Sequence, residues 1–218
     1  MPEVQIGEPG PIKIEKELPP LYVNETKWKK KKDGVLPELS QRIVFEKNFV
    51  AIHMRKLWMH NMAHSLIGYL GHARGYKTIH ESVADKKIEQ KVRSAMESIG
   101  DVLYRRWDYS GTEFPEAGSY IDWCLKKYKN KYIADRVERI CRDPERKLRE
   151  NDRLIGPSNY IWRYDKTIAR DILMGVIAAI KYDPKKYKQL RNEVVKRTKI
   201  DHKELTRATE EYEKFLEK

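Results

Sequence analysis

The fold is decided by residues 55–75, which read RKLWMHNMAHSLIGYLGHARG. At about 100° per residue, the apolar side chains of this stretch point in almost every direction around a helix axis. Such a distribution is typical of a helix that is surrounded by other parts of the protein. We therefore predict a central, buried helix from about Arg42 to Leu70. It is closed by Gly68, Gly71 and Gly75.

Helical patterns also fill most of the chain beyond this helix. They cover about residues 78–107, 119–129, 131–142 and 159–181, and two further helices begin at Asp183 and Asp201. Thr78 and Glu81 form the sequence pattern of a capping box, and Asp183 precedes a proline as an N-cap commonly does. We predict a mostly α, multi-helical domain of about six or seven helices over residues 41–218.

Residues 1–40 differ from the rest in composition. Six of the ten prolines fall here, and short alternating stretches at 12–15 and 21–23 suggest one or two short strands. So short and polar a segment cannot bury a core of its own. We predict an extended, partly β N-terminal arm over residues 1–40.

The composition of the 218 residues is that of a basic, folded protein. The chain has 45 Lys and Arg against 33 Asp and Glu, a formal net charge of +12, and 40% hydrophobic residues. Its longest apolar run, residues 172–180, is too short for a membrane span, and residues 1–30 lack the apolar core of a signal peptide. Two cysteines provide neither a disulfide framework nor a four-cysteine zinc site. We therefore expect a cytoplasmic protein.

The glycines follow neither of the standard nucleotide-binding patterns. No two are separated by a single residue and none precedes a lysine, so G-x-G-x-x-G and G-x-x-x-x-G-K-[ST] are both absent. The chain therefore carries no standard cradle for the phosphates of a nucleotide.

Three polar residues share one broad side of the central helix. With Lys56 taken as 0°, His64 lies at about 80° and Asn61 at about 140°. Desolvation favours the neutral form of a buried lysine, which can then act as a base near neutral pH. The ordinary alternative is a lysine that extends to solvent and a histidine hydrogen-bonded within the core. Because three polar side chains of different type converge, we favour a catalytic group.

A zinc site is a second possibility on the same helix. His60 and His64 have the i, i+4 spacing of two ligands on one helix face. The residue after the first histidine is Asn61, where a zinc protease has glutamate, and no third ligand is evident nearby. We therefore predict no metal site.

A basic stretch, residues 135–157, is a candidate anion-binding site. Arginine suits phosphate because its planar set of donors matches the oxygens of the anion. Arg139 and Arg142 lie about one turn apart and could form a fork for one anion. The alternative is a solvated face in which the basic residues pair with acidic neighbours such as Asp135 and Asp143. The candidate residues are Arg139, Arg142, Arg146, Lys147 and Arg153.

Two segments with interleaved basic and aromatic residues indicate nucleic-acid binding as another possible function. Residues 27–32, with Trp28, and residues 181–199 are of this type and could hold a nucleic acid. Acidic residues are also plentiful and no nucleic-acid motif is present, and the high Lys, Glu and Arg content also fits a thermophilic surface. Nucleic-acid binding is therefore the less favoured reading.

The spacing around the central helix also carries a family resemblance. The pattern is Arg55-Lys56-Leu57-x-x-x-Asn61-x-x-His64, followed by Gly68-Tyr-Leu-Gly71-x-x-x-Gly75. It continues in Asp135-x-Val-x-Arg139-x-x-Arg142 and in Asp152-Arg153-Leu-Ile-x-Pro157. Over about residues 10–195 the chain resembles the C-terminal domain of the long-chain polyol dehydrogenases, closest to the mannitol-1-phosphate 5-dehydrogenase branch.

The resemblance implies an all-α domain, similar to the C-terminal domain of 6-phosphogluconate dehydrogenase, that packs against a Rossmann domain. It implies that Lys56 is the general base that takes the proton from the reacting hydroxyl of a polyol or polyol phosphate. Asn61 and His64 would hydrogen-bond that oxygen while hydride leaves for NAD, as in the conversion of mannitol 1-phosphate to fructose 6-phosphate. The family has a matching basic block, which we expect to bind the substrate or its phosphate through Arg139, Arg142, Arg146, Lys147 and Arg153.

The NAD-binding domain that precedes this one in the family has no counterpart here. A separate Rossmann-type chain could complete the enzyme, the sequence could be a fragment, or the domain could have a non-redox role. Met1 favours a natural separate chain. We therefore expect the catalytic half of a polyol dehydrogenase, with a Rossmann-type partner that binds NAD. The alternative class is a non-enzymatic binding or assembly module that keeps the fold.

Overall fold

The structure is a computed structural model that describes residues 21–24, 43–46 and 48–217. The chain divides into two units, residues 1–49 and residues 50–218. In the first unit, strands β1 (Leu21–Asn24) and β2 (Ile43–Glu46) pair in parallel. β1 confirms the strand predicted there, whereas the predicted strand at 12–15 lies outside the described residues.

The elements that follow are helical, which confirms the mostly α prediction. They are α1 (Phe49–Arg55), a π-helical segment (Lys56–Asn61), α2 (Met62–Ala73), α3 (Ile79–Ala84), α4 (Lys86–Arg106), α5 (Ala117–Tyr128), α6 (Val137–Cys141), α7 (Pro144–Lys147), α8 (Ile155–Asp165), α9 (Arg170–Tyr182), a 3-10 turn (Pro184–Lys186), α10 (Tyr187–Arg197) and α11 (His202–Leu216). The described chain is thus divided more finely than into the predicted six or seven helices. None of the helices in the described residues combines the length and the apolar composition of a membrane span.

The central helix is present, but its predicted start at Arg42 is wrong. Residues 43–46 form β2 instead, because their β-branched and aromatic side chains favour extended backbone and their main chain pairs with β1. The helix continues beyond the predicted end at Leu70 to Ala73, and Gly75, with a φ of 81°, turns the chain away from it.

Helix α2 is buried on almost every side. It packs against α3, α4, α6 and α9, and its residues from 62 to 71 are buried apart from His64. Two glycines allow these helices to approach closely. A Cβ at Gly68 would overlap Ile140 of α6, and one at Gly71 would overlap Ser82 of α3.

Polar caps set several of the helix boundaries. Thr78 forms the predicted capping box, and Asp183 and Asp201 cap their helices as predicted. The helix predicted over 78–107 is divided at Asp85, whose carboxylate accepts hydrogen bonds from the first turn of α4. The helix predicted over 159–181 is divided at Lys166, which has a left-handed backbone with a φ of 56°.

Substitution of Gly71 by alanine is expected to lower the free energy of unfolding by about 1–3 kcal/mol, because the added methyl group forces Ser82 and α3 away from α2. Gly118→Ala is the matched control, since nothing lies within 4 Å of a Cβ at that position of α5. The control should leave stability unchanged or raise it by up to about 1 kcal/mol. Urea unfolding of the two variants measures the difference, and equal stabilities would contradict the close approach.

Candidate functional site

The predicted catalytic group lies where the central helix changes its geometry. Residues Lys56–Asn61 form a π-helical segment between α1 and α2. In a π-helix the backbone bonds join residues five apart, so Lys56 and Asn61 lie closer around the axis than the α-helical wheel predicts. Such segments occur frequently at functional sites. The periodicity of the sequence contains no signal for this change.

The predicted burial of Lys56 is wrong. Its side chain is exposed, whereas the preceding Arg55 is buried, and Asn61 and His64 are half-buried. The reason is that α3, α6 and α9 pack around α2, whereas the π-helical segment contacts α4 and leaves one side open. Within residues 48–217, no hydrogen bond or ion pair joins the three predicted side chains to one another.

His64 pairs with Asp135, a residue that the sequence had suggested only as a partner of the arginines. Its Nε2 lies 2.9 Å from Oδ2 of Asp135, and the Nε of Arg139 donates to Oδ1 of the same carboxylate at 2.8 Å. Burial lowers the pKa of His64 from its ordinary value, and the negative charge of Asp135 opposes that shift. The net lowering keeps the ring neutral at neutral pH.

A short backbone pairing holds Asp135 in this position. The amide of Ile79 donates to the carbonyl of Asp135 at 2.9 Å, and the amide of Val137 donates to the carbonyl of Lys77 at 3.0 Å. These bonds form an isolated antiparallel bridge between Thr78 and Arg136. The start of α3 and the segment before α6 are thereby joined beside His64.

His60 is placed in an aromatic and thiol environment. Its ring packs between the rings of Trp123 and Tyr128, at 6.0 and 5.2 Å, and its Nδ1 lies 3.4 Å from the sulfur of Cys124. Burial, together with the nearby positive charges of Lys127 and Lys56 and of His64 when it is protonated, lowers the pKa of His60 to about 3. Burial also raises the pKa of the Cys124 thiol to about 12, so a neutral imidazole faces a protonated thiol.

The zinc hypothesis depends on the same two histidines. The ring centres of His60 and His64 are 6.3 Å apart. The part of the chain that the structure describes contains no group of three or more His, Cys, Asp and Glu side chains arranged to hold a metal ion.

An open cleft of about 80 Å³ lies beside His64. Asp135 and Lys127 supply charged groups to it, and Tyr128, Ile79 and Ile133 supply much of its apolar wall. Its volume is well below the roughly 300–1,000 Å³ of a typical ligand pocket. The cleft can therefore enclose one end of a small molecule, but not the whole of a cofactor-sized one.

The basic block is largely paired with acidic neighbours. Arg146 donates to Asp143 and Arg153 to Asp152, each through Nε at 2.9 Å, in addition to the bonds that Arg139 makes with Asp135. Each of these three arginines therefore has an acidic neighbour, as an ion-paired face would have, and their role in substrate binding stays a prediction.

Arg142, which was predicted to form an anion fork with Arg139, and Lys147 both lie beyond the end of α6. The helix predicted over 131–142 is limited to Val137–Cys141, so Arg142 lies beyond it on extended backbone. The next residue, Asp143, has a left-handed backbone and precedes Pro144, the first residue of α7. A proline at this position prevents α6 from continuing. Lys147 is 4% exposed and donates to the carbonyl of Arg142, and burial lowers its pKa to about 8.

Arg55 is an important residue that sequence reasoning missed. Its guanidinium is buried and donates to Tyr104 Oη, Thr112 Oγ1 and the carbonyl of Phe114 at 2.9–3.1 Å. It also lies 4.7 Å from the centre of the Tyr120 ring and has no carboxylate partner among residues 48–217. Arg55 thus ties the start of the π-helical segment to the loop between α4 and α5.

Of the two candidate nucleic-acid segments, the structure describes only residues 181–199. Residues 27–32 lie outside the described residues. In residues 181–199, Lys181 pairs with Glu213 at 2.7 Å and Arg197 with Glu193 at 2.8 Å. Part of the positive charge of the second segment is therefore compensated locally.

Replacement of Asp135 by asparagine is expected to lower the pKa of His64 further, because the opposing negative charge is removed while burial remains. NMR titration of the imidazole resonances measures this value. Asp143→Asn is the matched control, since that carboxylate pairs with Arg146 instead. An unchanged pKa in the Asp135 variant would show that the carboxylate does not act on His64.

The stability of the protein is expected to fall as the pH drops below about 6.5. Between pH 6.5 and about 3 the unfolded chain binds a proton on His60 that the folded chain does not, so acid favours unfolding. His60→Gln should reduce the slope of unfolding free energy against pH by up to about 1.4 kcal/mol per pH unit. Urea unfolding from pH 7 to 4 tests this, with exposed His202→Gln as control. Identical slopes in wild type and His60→Gln would refute it.

Comparison with known proteins identifies related sequences. A family model described as the mannitol dehydrogenase C-terminal domain matches residues 48–215. Mannitol-1-phosphate 5-dehydrogenase of Buchnera aphidicola subsp. Acyrthosiphon pisum is 36% identical over 152 residues in strain Tuc7 and 37% identical over 141 residues in strain 5A. These alignments cover 70% and 65% of this chain, but only 38% and 36% of the relatives.

Solved structures share the fold at lower identity. Pseudomonas fluorescens mannitol 2-dehydrogenase, in a ternary complex with NAD and D-mannitol, aligns with a TM-score of 0.58 and 17% identity, covering 84% of this chain and 40% of that one. A D-sorbitol dehydrogenase in substrate-free form aligns with a TM-score of 0.54 and 19% identity, covering 68% and 29%. These likenesses concern the fold alone.

Proposed function

The chain belongs to the mannitol dehydrogenase C-terminal domain family, and we propose that it is the substrate-binding and proton-transferring half of an NAD-dependent polyol or polyol-phosphate dehydrogenase. One observation carries the proposal. The side chains of His64 and Asp135 are paired and line a cleft. His64 lies in α2, directly after the π-helical segment that contains Lys56 and Asn61. The mannitol-1-phosphate 5-dehydrogenase relatives support a polyol phosphate as the substrate. The reaction type that we propose is the conversion of mannitol 1-phosphate to fructose 6-phosphate.

The described residues do not fit NAD by themselves. The chain lacks a glycine-rich phosphate loop, and the cleft of about 80 Å³ is too small for a dinucleotide. We infer that a separate Rossmann-type domain binds most of the cofactor. This chain would then bind the substrate and accept the proton of the reacting hydroxyl.

In this proposal Lys56 is the general base. The neutral amine of a lysine side chain can take the proton from the reacting hydroxyl. A positioned general base typically accelerates a reaction by about 10²–10⁴-fold. Lys56 is exposed in this chain. Contact with a second domain would remove water from it and favour its neutral form.

Asn61 and His64 would each form a hydrogen bond with the substrate. The amide of Asn61 donates to the reacting oxygen as its negative charge develops. Asp135 accepts from Nε2–H of the neutral His64, so the ring has no second N–H to donate to the reacting oxygen as expected from the resemblance. In this proposal its Nδ1 accepts from a second hydroxyl of the polyol instead. The carboxylate thereby fixes both the ring and the side of the ring that meets the substrate.

Lys56→Ala is expected to reduce turnover about 10²–10⁴-fold, because the base is removed while the helix remains folded. The measurement is NADH formation from mannitol 1-phosphate and from mannitol by the chain co-expressed with a Rossmann-type partner. Lys87→Ala, which removes an exposed lysine of α4, is the control and should retain full turnover. Full activity in the Lys56 variant would remove this residue from the mechanism.

The second candidate is a non-enzymatic binding or assembly module. The exposure of Lys56 and the ion pairs of three arginines in the basic block favour it, because those groups are not arranged around an enclosed site. If the co-expressed chains form a stable complex that turns over neither substrate, this second function replaces the first.

A further inference from the structure

We propose that Lys127 binds the phosphate group of the substrate in the cleft beside His64. This inference rests on the proposed function and specifies its substrate class as phosphorylated polyols. Lys127 is not part of the basic block that the sequence suggested for this purpose. Its assignment comes from the position of its side chain in the cleft and from the charges around it.

Lys127 is placed in the cleft by a rigidly held helix. It lies in the last turn of α5, and its Nζ is 4.8 Å from the centre of the Trp123 ring. The hydroxyl of Tyr128 donates to the carbonyl of His60 at 2.7 Å and joins α5 to the π-helical segment. The ring of Tyr128 also stacks on that of His64 at 5.3 Å. A ligand group at Lys127 therefore lies beside the candidate catalytic histidine.

The charge of Lys127 is available to an anion. The side chain is exposed and forms no ion pair with any residue of 48–217. Lys129, two residues further on, is instead paired with Glu89. In the basic block, the arginines at 139, 146 and 153 have acidic partners and Lys147 is buried against a carbonyl. Lys127 is thus a cation that lines the cleft without a carboxylate of its own.

The surroundings strengthen the attraction to phosphate. Ile79 and Ile133 contribute apolar wall, and charges interact more strongly beside such surfaces than in open water. Asp135 also faces the cleft, but its carboxylate is held by His64 and Arg139, so its repulsion of an anion is reduced. The cleft volume of about 80 Å³ holds several water molecules, which leaves room for a phosphate group. The polyol chain attached to that phosphate would lie along His64.

The test measures ligand binding by the full chain without any partner. Mannitol 1-phosphate, inorganic phosphate and mannitol are titrated separately, and the ³¹P signal and the His64 imidazole resonances are followed. Lys127→Gln should weaken binding of mannitol 1-phosphate by about tenfold to a hundredfold, since one charge-assisted contact is lost. Lys127→Arg should restore most of it. Weak binding of unphosphorylated mannitol should not change.

Lys126→Gln is the matched control, because Lys126 is an exposed lysine of the same helical turn and does not line the cleft. Its effect should stay within about twofold, as expected for a distant, screened surface charge. Equal losses in the Lys126 and Lys127 variants, or no phosphate-dependent binding in wild type, would overturn the proposal. Circular dichroism confirms that each variant is folded.

The failure of this proposal is distinguishable from the failure of the proposed function. If the co-expressed enzyme oxidises polyols and Lys127→Gln leaves the KM for mannitol 1-phosphate unchanged, the phosphate assignment is wrong and the dehydrogenase stands. If Lys127 controls phosphate binding but no complex shows turnover, the anion site stands and the dehydrogenase does not.

Discussion

Burial of α2 on almost every side is the constraint on which the rest of the structure depends. Four helices pack against it, and two glycines allow α3 and α6 to come close. A polar side chain on such a helix must either find a partner inside the protein or lie where the packing opens. His64 meets the first condition through Asp135, and Lys56 meets the second because it lies in the π-helical segment ahead of α2. The candidate chemistry is therefore confined to one end of the central helix.

Acidic residues pair with several of the lysines and arginines of this basic protein and so determine where positive charge remains uncompensated. A chain with a formal net charge of +12 would be expected to offer many free cations, yet several are compensated by carboxylates nearby in the fold. Asp135 contacts both Arg139 and His64 and so links the basic block to the central helix. The electrostatic character of the cleft depends on which cations remain without such a partner, more than on the total charge.

Local patterns in the sequence predicted the helical architecture well, and the errors have identifiable causes. The caps at Thr78, Asp183 and Asp201 were predicted because a cap depends only on residues within one turn. The start at Arg42 was wrong because β2 is stabilised by pairing with β1, a distant segment. The helix over 131–142 was overextended, since residues 131–133 form a turn and the bridge between Thr78 and Arg136 holds the residues just before α6 in an extended conformation. In these two errors a non-local contact outweighed local propensity, whereas the helices over 78–107 and 159–181 are divided by the local cap at Asp85 and the left-handed backbone of Lys166.

The sequence by itself determined the mostly α class, the central helix and the spacing of Lys56, Asn61 and His64, because periodicity and capping are properties of neighbouring residues. Only the tertiary structure decided which side of that helix is open, which arginines are neutralised and that His64 meets Asp135. It also placed Lys127 of α5 at the same cleft as His64. These arrangements depend on how separate helices pack, and packing brings together residues whose chemistry has no local signature in the chain.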